Sequence, residues 1–135
     1  MGVVAQVADR QVGRDKALRV VLMASDTGSR LIAQVHTGRE AFQELKAQWL
    51  RLESLSPTAA LFQSYSWCRT VAGRMDADDL ADLRIFTVWS DDALVALLPL
   101  RLQRKKGRVV LTGLAEPFQE FTDMLLDPQV NAELA

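Results

Sequence analysis

The stretch that decides the fold is LRIFTVWSDDALVALLPLRLQRKKGRVVLTGL, residues 83–114. It contains three apolar runs separated by two short polar segments, at residues 90–92 and 105–107. Short polar turns between strand-type runs favour hairpins, so we predict a three-stranded antiparallel meander. Proline has no amide hydrogen to give to a neighbouring strand, so Pro99 marks a bulge or a gap in the pairing of the second strand.

Two predicted helices precede the meander. The first carries an apolar stripe at helical spacing, formed by Phe42, Leu45, Trp49 and Leu52. Residues 37–40, Thr-Gly-Arg-Glu, match a capping box at its start, and the Ser-Pro pair at residues 56–57 ends it. Ser64 is the predicted N-cap of the second helix, whose buried stripe runs from Trp67 to Met75.

The remaining segments complete the predicted domain. Residues 1–30 are mixed in charge and weakly patterned, so we interpret them as a loose N-terminal tail, with at most a short helix or strand at residues 17–23. Residues 31–35 are a plausible first strand, and residues 76–79 are a solvated acidic linker. The fold class is therefore α/β in the broad sense (α+β), with an antiparallel meander sheet and two helices packed on it over residues 31–135.

Composition narrows the classes of function. A chain of 135 residues with 49% hydrophobic content is enough for one modest domain with a core. Its 16 basic and 17 acidic residues give a net charge of −1, so no global field draws it to nucleic acid or to an anionic membrane. No apolar run approaches the roughly 20 residues of a membrane span. We expect a cytoplasmic protein with no nucleic-acid partner and no integral membrane segment.

Two groups of residues are candidates for substrate binding. Gln63, Tyr65 and Trp67 form an aromatic and amide cluster at a helix start, which fits either a pocket lining or core packing with capping. Asp123 lies inside the apolar run of residues 121–126, where a carboxylate must be paired or must face solvent. We predict that Asp123 faces a cleft, with Glu120 and Glu116 nearby; the alternative is the exposed face of an edge strand.

Other reactive side chains have plainer interpretations. The single histidine, His36, is expected at the surface or at a cap, and the single cysteine, Cys68, as a buried inert thiol. The basic cluster at residues 101–108 fits a soluble hairpin edge better than a phosphate site. We predict no metal site, because one cysteine and one histidine cannot build a Cys-based or His-rich site. We also predict no cofactor-binding residues, because the chain has no phosphate-binding loop, and no catalytic residue can be named.

The order strand, helix, helix, meander, strand and helix start resembles the N-terminal half of a GNAT-type acetyltransferase fold. Four sequence phrases resemble the BioF2-like acetyltransferase family. They are FxxLxxxWxxL at 42–52, LFQSYSW at 61–67, LVALLPL at 94–100 and FTDML at 121–125. That family includes the CelD-type proteins linked to bacterial cellulose and exopolysaccharide production, and it is related to the FemAB aminoacyltransferases. One departure is Ala96, where the family often has glycine.

The resemblance implies a partial GNAT-like fold that is truncated at its C-terminus. A full-length parent would use acetyl-CoA or another acyl-CoA, but its donor loop would lie past Ala135, so no cofactor is expected for this chain alone. The implied partners are the missing C-terminal half of the domain and a small-molecule or glycan-related acceptor. The chain would form the acceptor-side portion of an acyltransferase and be inactive by itself. The alternatives are a non-catalytic binding or assembly module with the same half-fold and, less favoured, nucleic-acid binding through the basic turn.

Overall fold

The computed structural model describes residues 3–12, 15–24, 30–56, 61–115 and 123–129. It is a mixed α+β fold, as predicted. The strands are β1 (Val3–Val12), β2 (Asp15–Ala24), β3 (Arg30–His36), β4 (Leu83–Ser90), β5 (Ala93–Lys105), β6 (Arg108–Gly113) and β7 (Leu125–Leu126). The helices are α1 (Glu40–Leu55), a 3-10 turn (Leu61–Gln63), α2 (Tyr65–Gly73) and α3 (Ala77–Ala81).

The strands form one antiparallel sheet in the order β1-β2-β3-β4-β5-β6, and β7 also pairs with β5. The predicted meander corresponds to β4, β5 and β6. At the β5–β6 turn, Lys106 and Gly107 have φ angles of 50° and 77°. Two consecutive residues with positive φ make the tight hairpin turn whose twist matches the flanking strands.

Pro99 lies at a gap in the pairing of β5, as the sequence predicts. Along one edge of β5 the pairing with β6 ends at Leu100, and the pairing with β7 begins at Leu97. The Leu102 amide donates to the Asp82 carbonyl on the β4 side. Because amides alternate in direction along a strand, the backbone nitrogen of Pro99 faces away from β4, toward this gap. Since that nitrogen carries no hydrogen, no donor is left without a partner there. The β-bulge is elsewhere, where the register shifts between Val88 and Trp89.

The interpretation of residues 1–30 as a loose tail is wrong for residues 3–12 and 15–24. They form the hairpin β1–β2, and β2 pairs with β3 from Arg19↔Gln34 to Met23↔Arg30. The expected short element at residues 17–23 is part of β2. β2 is held in the sheet by pairing with β3, and β1 by pairing with β2. Whether such a segment forms a strand depends on its neighbours in the sheet, which its own residue pattern reveals poorly.

Two local predictions at helix starts are also wrong. The N-cap of α1 is Arg39, with no side-chain cap bond, because Gly38 at φ 81° starts the helix with turns closed by backbone bonds alone. Residues 76–78 are exposed, as expected, but residues 76–79 are not a linker, since the Asp76 carboxylate accepts from the amide of Asp79 and caps α3. The predicted Ser64 cap of α2 is confirmed, with the Trp67 amide donating to the Ser64 hydroxyl at 3.2 Å.

The core lies between α1, α2 and one face of the sheet. The predicted α1 stripe is buried, and it packs with Cys68 and Ala72 of α2 against the alternate residues Leu83 and Ile85 of β4. Gln48 of α1 accepts a hydrogen bond from the Leu94 amide at 3.3 Å, next to the bulge. Among the described helices, none has the length and apolar character that crossing a bilayer requires.

Trp49 should contribute more to stability than any exposed neighbour on the same helix. Its side chain is fully buried, its ring lies 5.7 Å from that of Phe42, and its indole N–H donates to the Gln63 carbonyl. We expect Trp49→Ala to lower the free energy of unfolding by about 3–5 kcal/mol. The matched control Leu50→Ala, at an exposed position, should change it by less than about 1 kcal/mol. Chemical denaturation measures both, and a loss below about 1 kcal/mol for Trp49→Ala would contradict this packing.

Candidate functional site

Gln63 holds the segment before β7 against the 3-10 turn. Its side chain is buried, and Nε2 donates to the Met124 carbonyl at 3.3 Å. Its own carbonyl accepts from the Trp49 indole at 3.0 Å. The structure therefore brings together two of the predicted substrate-binding regions, because Met124 is the neighbour of Asp123 and lies 61 positions from Gln63.

Asp123 is exposed and lies just before β7, outside any strand. Its Oδ1 accepts from the Met124 amide at 2.7 Å, which turns the chain as it enters the strand. The β7 pairing starts at Leu97↔Leu125. Asp123 therefore leaves the sheet near the level of Pro99, beside the gap between β6 and β7. Glu120 and Glu116, predicted to lie near Asp123, fall outside the described residues.

Tyr65 and Trp67 take part in aromatic packing on the helical face. The Tyr65 ring meets the Trp49 ring edge-on at 5.5 Å, and the Lys46 ammonium lies 5.9 Å from its centre. The Trp67 ring meets Phe62 edge-on at 5.3 Å. The Trp67 indole nitrogen is buried and has no hydrogen-bond acceptor among the described residues. Both side chains thus show the core-packing role that was the alternative to a pocket lining.

A polar cluster that sequence reasoning missed centres on Thr87 of β4. Thr87 is buried, and its hydroxyl lies 3.0 Å from His36 Nε2 and accepts from the Trp89 indole at 2.9 Å. These side chains project from adjacent strands toward the helical side, because His36 pairs with Ile85 and Gln34 pairs with Thr87. One signal was available: Thr87 is the single polar residue in the alternating buried series of β4.

His36 is thus neither a helix cap nor a free surface group. Burial lowers the pKa of His36 below its ordinary value of 6.5, so the ring is neutral at pH 7.

A shallow pocket of about 390 Å³ begins at Thr37, the residue after His36. It lies between the start of α1 and α3 and is lined by Thr37, Gly38, Arg39, Glu40, Ala77, Leu80 and Ala81.

Cys68 is buried, as the sequence predicts. Its Sγ lies 3.5 Å from the Phe62 carbonyl oxygen as a weak donor. Burial, followed by the charge of Glu53, raises the pKa of the thiol to about 12. A thiol protonated at neutral pH is a poor nucleophile. In the described part of the chain, no three His, Cys, Asp or Glu side chains lie close enough to hold a metal ion.

Comparison with known protein families, with curated proteins and with solved structures gives no match for this chain. The family resemblance of the four sequence phrases therefore stays a prediction.

Acid should destabilise this protein through His36. Because the folded-state pKa is lowered, the unfolded chain binds more protons just below pH 6.5, and the free energy of unfolding should fall as the pH drops below that value. His36→Gln removes the titrating group and should flatten the curve between about pH 6.5 and 5, above the range where most carboxylates titrate. Denaturant unfolding at stepped pH measures this, and equal slopes for both proteins would contradict it.

The thiol of Cys68 should react slowly in the folded protein. At pH 8 we expect alkylation by iodoacetamide to be at least about 100-fold slower than in denatured chain, since burial suppresses both thiolate formation and access. Mass spectrometry of timed samples gives both rates. Rapid labelling of the native protein would show that the environment of Cys68 is open.

Proposed function

We propose that this chain is the acceptor-side, N-terminal portion of a GNAT-related acyltransferase of BioF2-like type, acting in envelope or exopolysaccharide biosynthesis. The observation that carries the proposal is the change of partner along β5 at Pro99. There the pairing with β6 stops at Leu100 and the pairing with β7 starts at Leu97, leaving an opening in the sheet edge among the described residues. In GNAT-like folds a gap between splayed strands admits the acyl-CoA donor.

The order of elements supports the same proposal. β3 is followed by α1, α2 and the short helix α3, and the chain then returns to β4 directly beside β3, before the β4–β5–β6 meander. Apart from α3 and the β1–β2 hairpin that precedes β3, this is the order of the GNAT N-terminal half that the sequence phrases resemble. A capping bond follows β7, because Asp127 Oδ1 accepts from the Gln129 amide at 2.9 Å, and this suits the helix start that ends the predicted order of elements.

Asp123 and Gln63 suit the acceptor side of such an opening. The exposed Asp123 carboxylate accepts hydrogen bonds from hydroxyl or amine groups, which are the nucleophiles of acyl transfer to a sugar or a small molecule. Gln63 is a positioning residue, since its bond to the Met124 carbonyl fixes the segment that presents Asp123. The acyl donor is a separate requirement, because the described residues offer no glycine-rich helix start to bind its phosphates.

A non-catalytic binding or assembly module is the second candidate. It is favoured by β6, which is an edge strand among the described residues and whose side chains Val109 and Leu111 are exposed. Exposed edge strands pair readily with other strands. Thioester turnover distinguishes the two candidates: an acyltransferase consumes an acyl thioester, and an assembly module does not.

The 135-residue chain should show no saturable binding of acetyl-CoA at physiological salt. Backbone amides at a helix start are the usual pyrophosphate ligands, and the basic hairpin attracts phosphates only through charge that salt screens. Isothermal titration calorimetry measures this. A saturable, salt-resistant signal in the micromolar range would mean that these residues contain a donor site and would overturn the acceptor-side assignment.

Acyl transfer itself is tested on the natural gene product, with any residues that follow Ala135. We expect release of free CoA from acetyl-CoA, detected with a thiol reagent, in the presence of amino-sugar or glycan acceptors. Asp123→Asn should raise the KM for the acceptor at least about tenfold, the cost of one hydrogen bond to a charged group. The exposed control Asp78→Asn should leave it unchanged. No CoA release from an intact gene product with any acceptor would favour the assembly module.

A further inference from the structure

We infer that the β5–β6 hairpin is a docking surface for anionic membranes. Its first component is a group of four basic side chains around the turn, Arg104, Lys105, Lys106 and Arg108, which we call the cationic tip. All four residues are exposed, and none has an acidic partner among the described residues. The chain as a whole has a net charge of −1, so this positive charge is local and leaves a field at one end of the molecule.

The second component is an aliphatic patch on one face of the same hairpin, made of Leu100, Leu102, Val109 and Leu111. Leu102 pairs directly with Leu111, so their side chains lie on the same face of the hairpin. Val109 is 60% exposed and Leu111 is 48% exposed. Residues of the opposite parity on β5, such as Leu97 and Pro99, are buried on the helical face. The aliphatic patch therefore lies on the face of the sheet that α1 and α2 do not cover.

This face continues as an apolar surface onto the neighbouring strands. Leu98 pairs with Phe86, and Phe86 pairs with Val35, and all three side chains are only half-buried. Contiguous apolar surface of this kind on a folded protein marks an interaction site. The described helices all lie elsewhere, so no element among the described residues separates this surface from the cationic tip.

Cations at the rim of an aliphatic surface fit a bilayer interface. Peripheral membrane binding combines buried apolar area with attraction to anionic headgroups. The long side chains of the cationic tip extend their charges toward phosphates while Val109 and Leu111 enter the headgroup region. A nucleic acid would use the cations but would leave the aliphatic patch in water, so the patch favours lipid as the partner.

Vesicle sedimentation tests this inference with the wild-type chain. We expect the protein to pellet with phosphatidylcholine vesicles that contain about one-third phosphatidylglycerol, and not with pure phosphatidylcholine. Raising the salt concentration should weaken the binding, because it screens the headgroup attraction. Absence of binding to the anionic vesicles at low salt would overturn the inference.

Variants separate the two components. Val109→Ser/Leu111→Ser should weaken binding to anionic vesicles about tenfold or more, because it removes the aliphatic contribution. Lys105→Gln/Arg108→Gln should do so by a similar factor, since each basic residue near the surface contributes to the attraction. The matched controls are Leu50→Ser/Leu61→Ser and Arg69→Gln/Arg74→Gln, all at exposed positions of the helical part. Their binding should equal that of the wild type.

Other partners give different results. Preferential binding to single-stranded RNA over anionic vesicles, unchanged by Val109→Ser/Leu111→Ser, would assign the cationic tip to nucleic acid instead. Size-exclusion chromatography without lipid tests whether the partner of the aliphatic patch is a second copy of this chain. A wild-type dimer that this double variant converts to a monomer, with no vesicle binding by either protein, would make the patch a subunit interface. Circular dichroism confirms that each variant is folded before its binding is compared.

Discussion

The hydrogen bond from the Trp49 indole to the Gln63 carbonyl is the contact on which the rest of the structure depends. Trp49 fills the space between α1 and α2, where its ring stacks on Phe42 and meets Tyr65 edge-on. A buried indole N–H needs an acceptor, and the Gln63 carbonyl satisfies it at the 3-10 turn. The Gln63 side chain then reaches Met124. Trp49 thereby fixes the position of the 3-10 turn, and Gln63 of that turn holds the segment that enters β7 near Pro99.

The sequence predicts those parts of the fold that depend on short-range periodicity. The α1 stripe, the Ser64 cap and the β4–β5–β6 meander follow from spacing and turn chemistry, and all three are present. The β1–β2 hairpin was missed, because its place in the sheet depends on pairing with β3 rather than on its own pattern. The capping box failed for a different reason. Gly38 adopts a positive φ, and the helix begins with Arg39 as N-cap and with no side-chain cap bond. The residue types at Thr37 and Glu40 do not indicate this backbone conformation.

The arrangement of the candidate site was predictable in part. A carboxylate within an apolar run drew attention to Asp123, and the residue is exposed beside the opening in the sheet. The proximity of Gln63 to this segment was beyond prediction, since a contact across 61 positions has no local signal. The His36–Thr87 pair was missed for the same reason, as it spans two strands 51 positions apart. Tyr65 and Trp67 pack against the core, which was the alternative given for them, and their role in substrate binding stays a prediction.

The two halves of β5 differ in how strongly the core constrains them. Residues up to Pro99 are locked between β4, β7 and the helices, whereas the part paired with β6 extends past the buried core. The outer half is free to lengthen or shorten without disturbing Trp49 or its neighbours. Such changes must come two residues per strand, because an odd step would exchange the aliphatic and polar faces of the hairpin. The β5–β6 hairpin is therefore the part of this fold whose length can vary, in natural variants or by design, while the core stays the same.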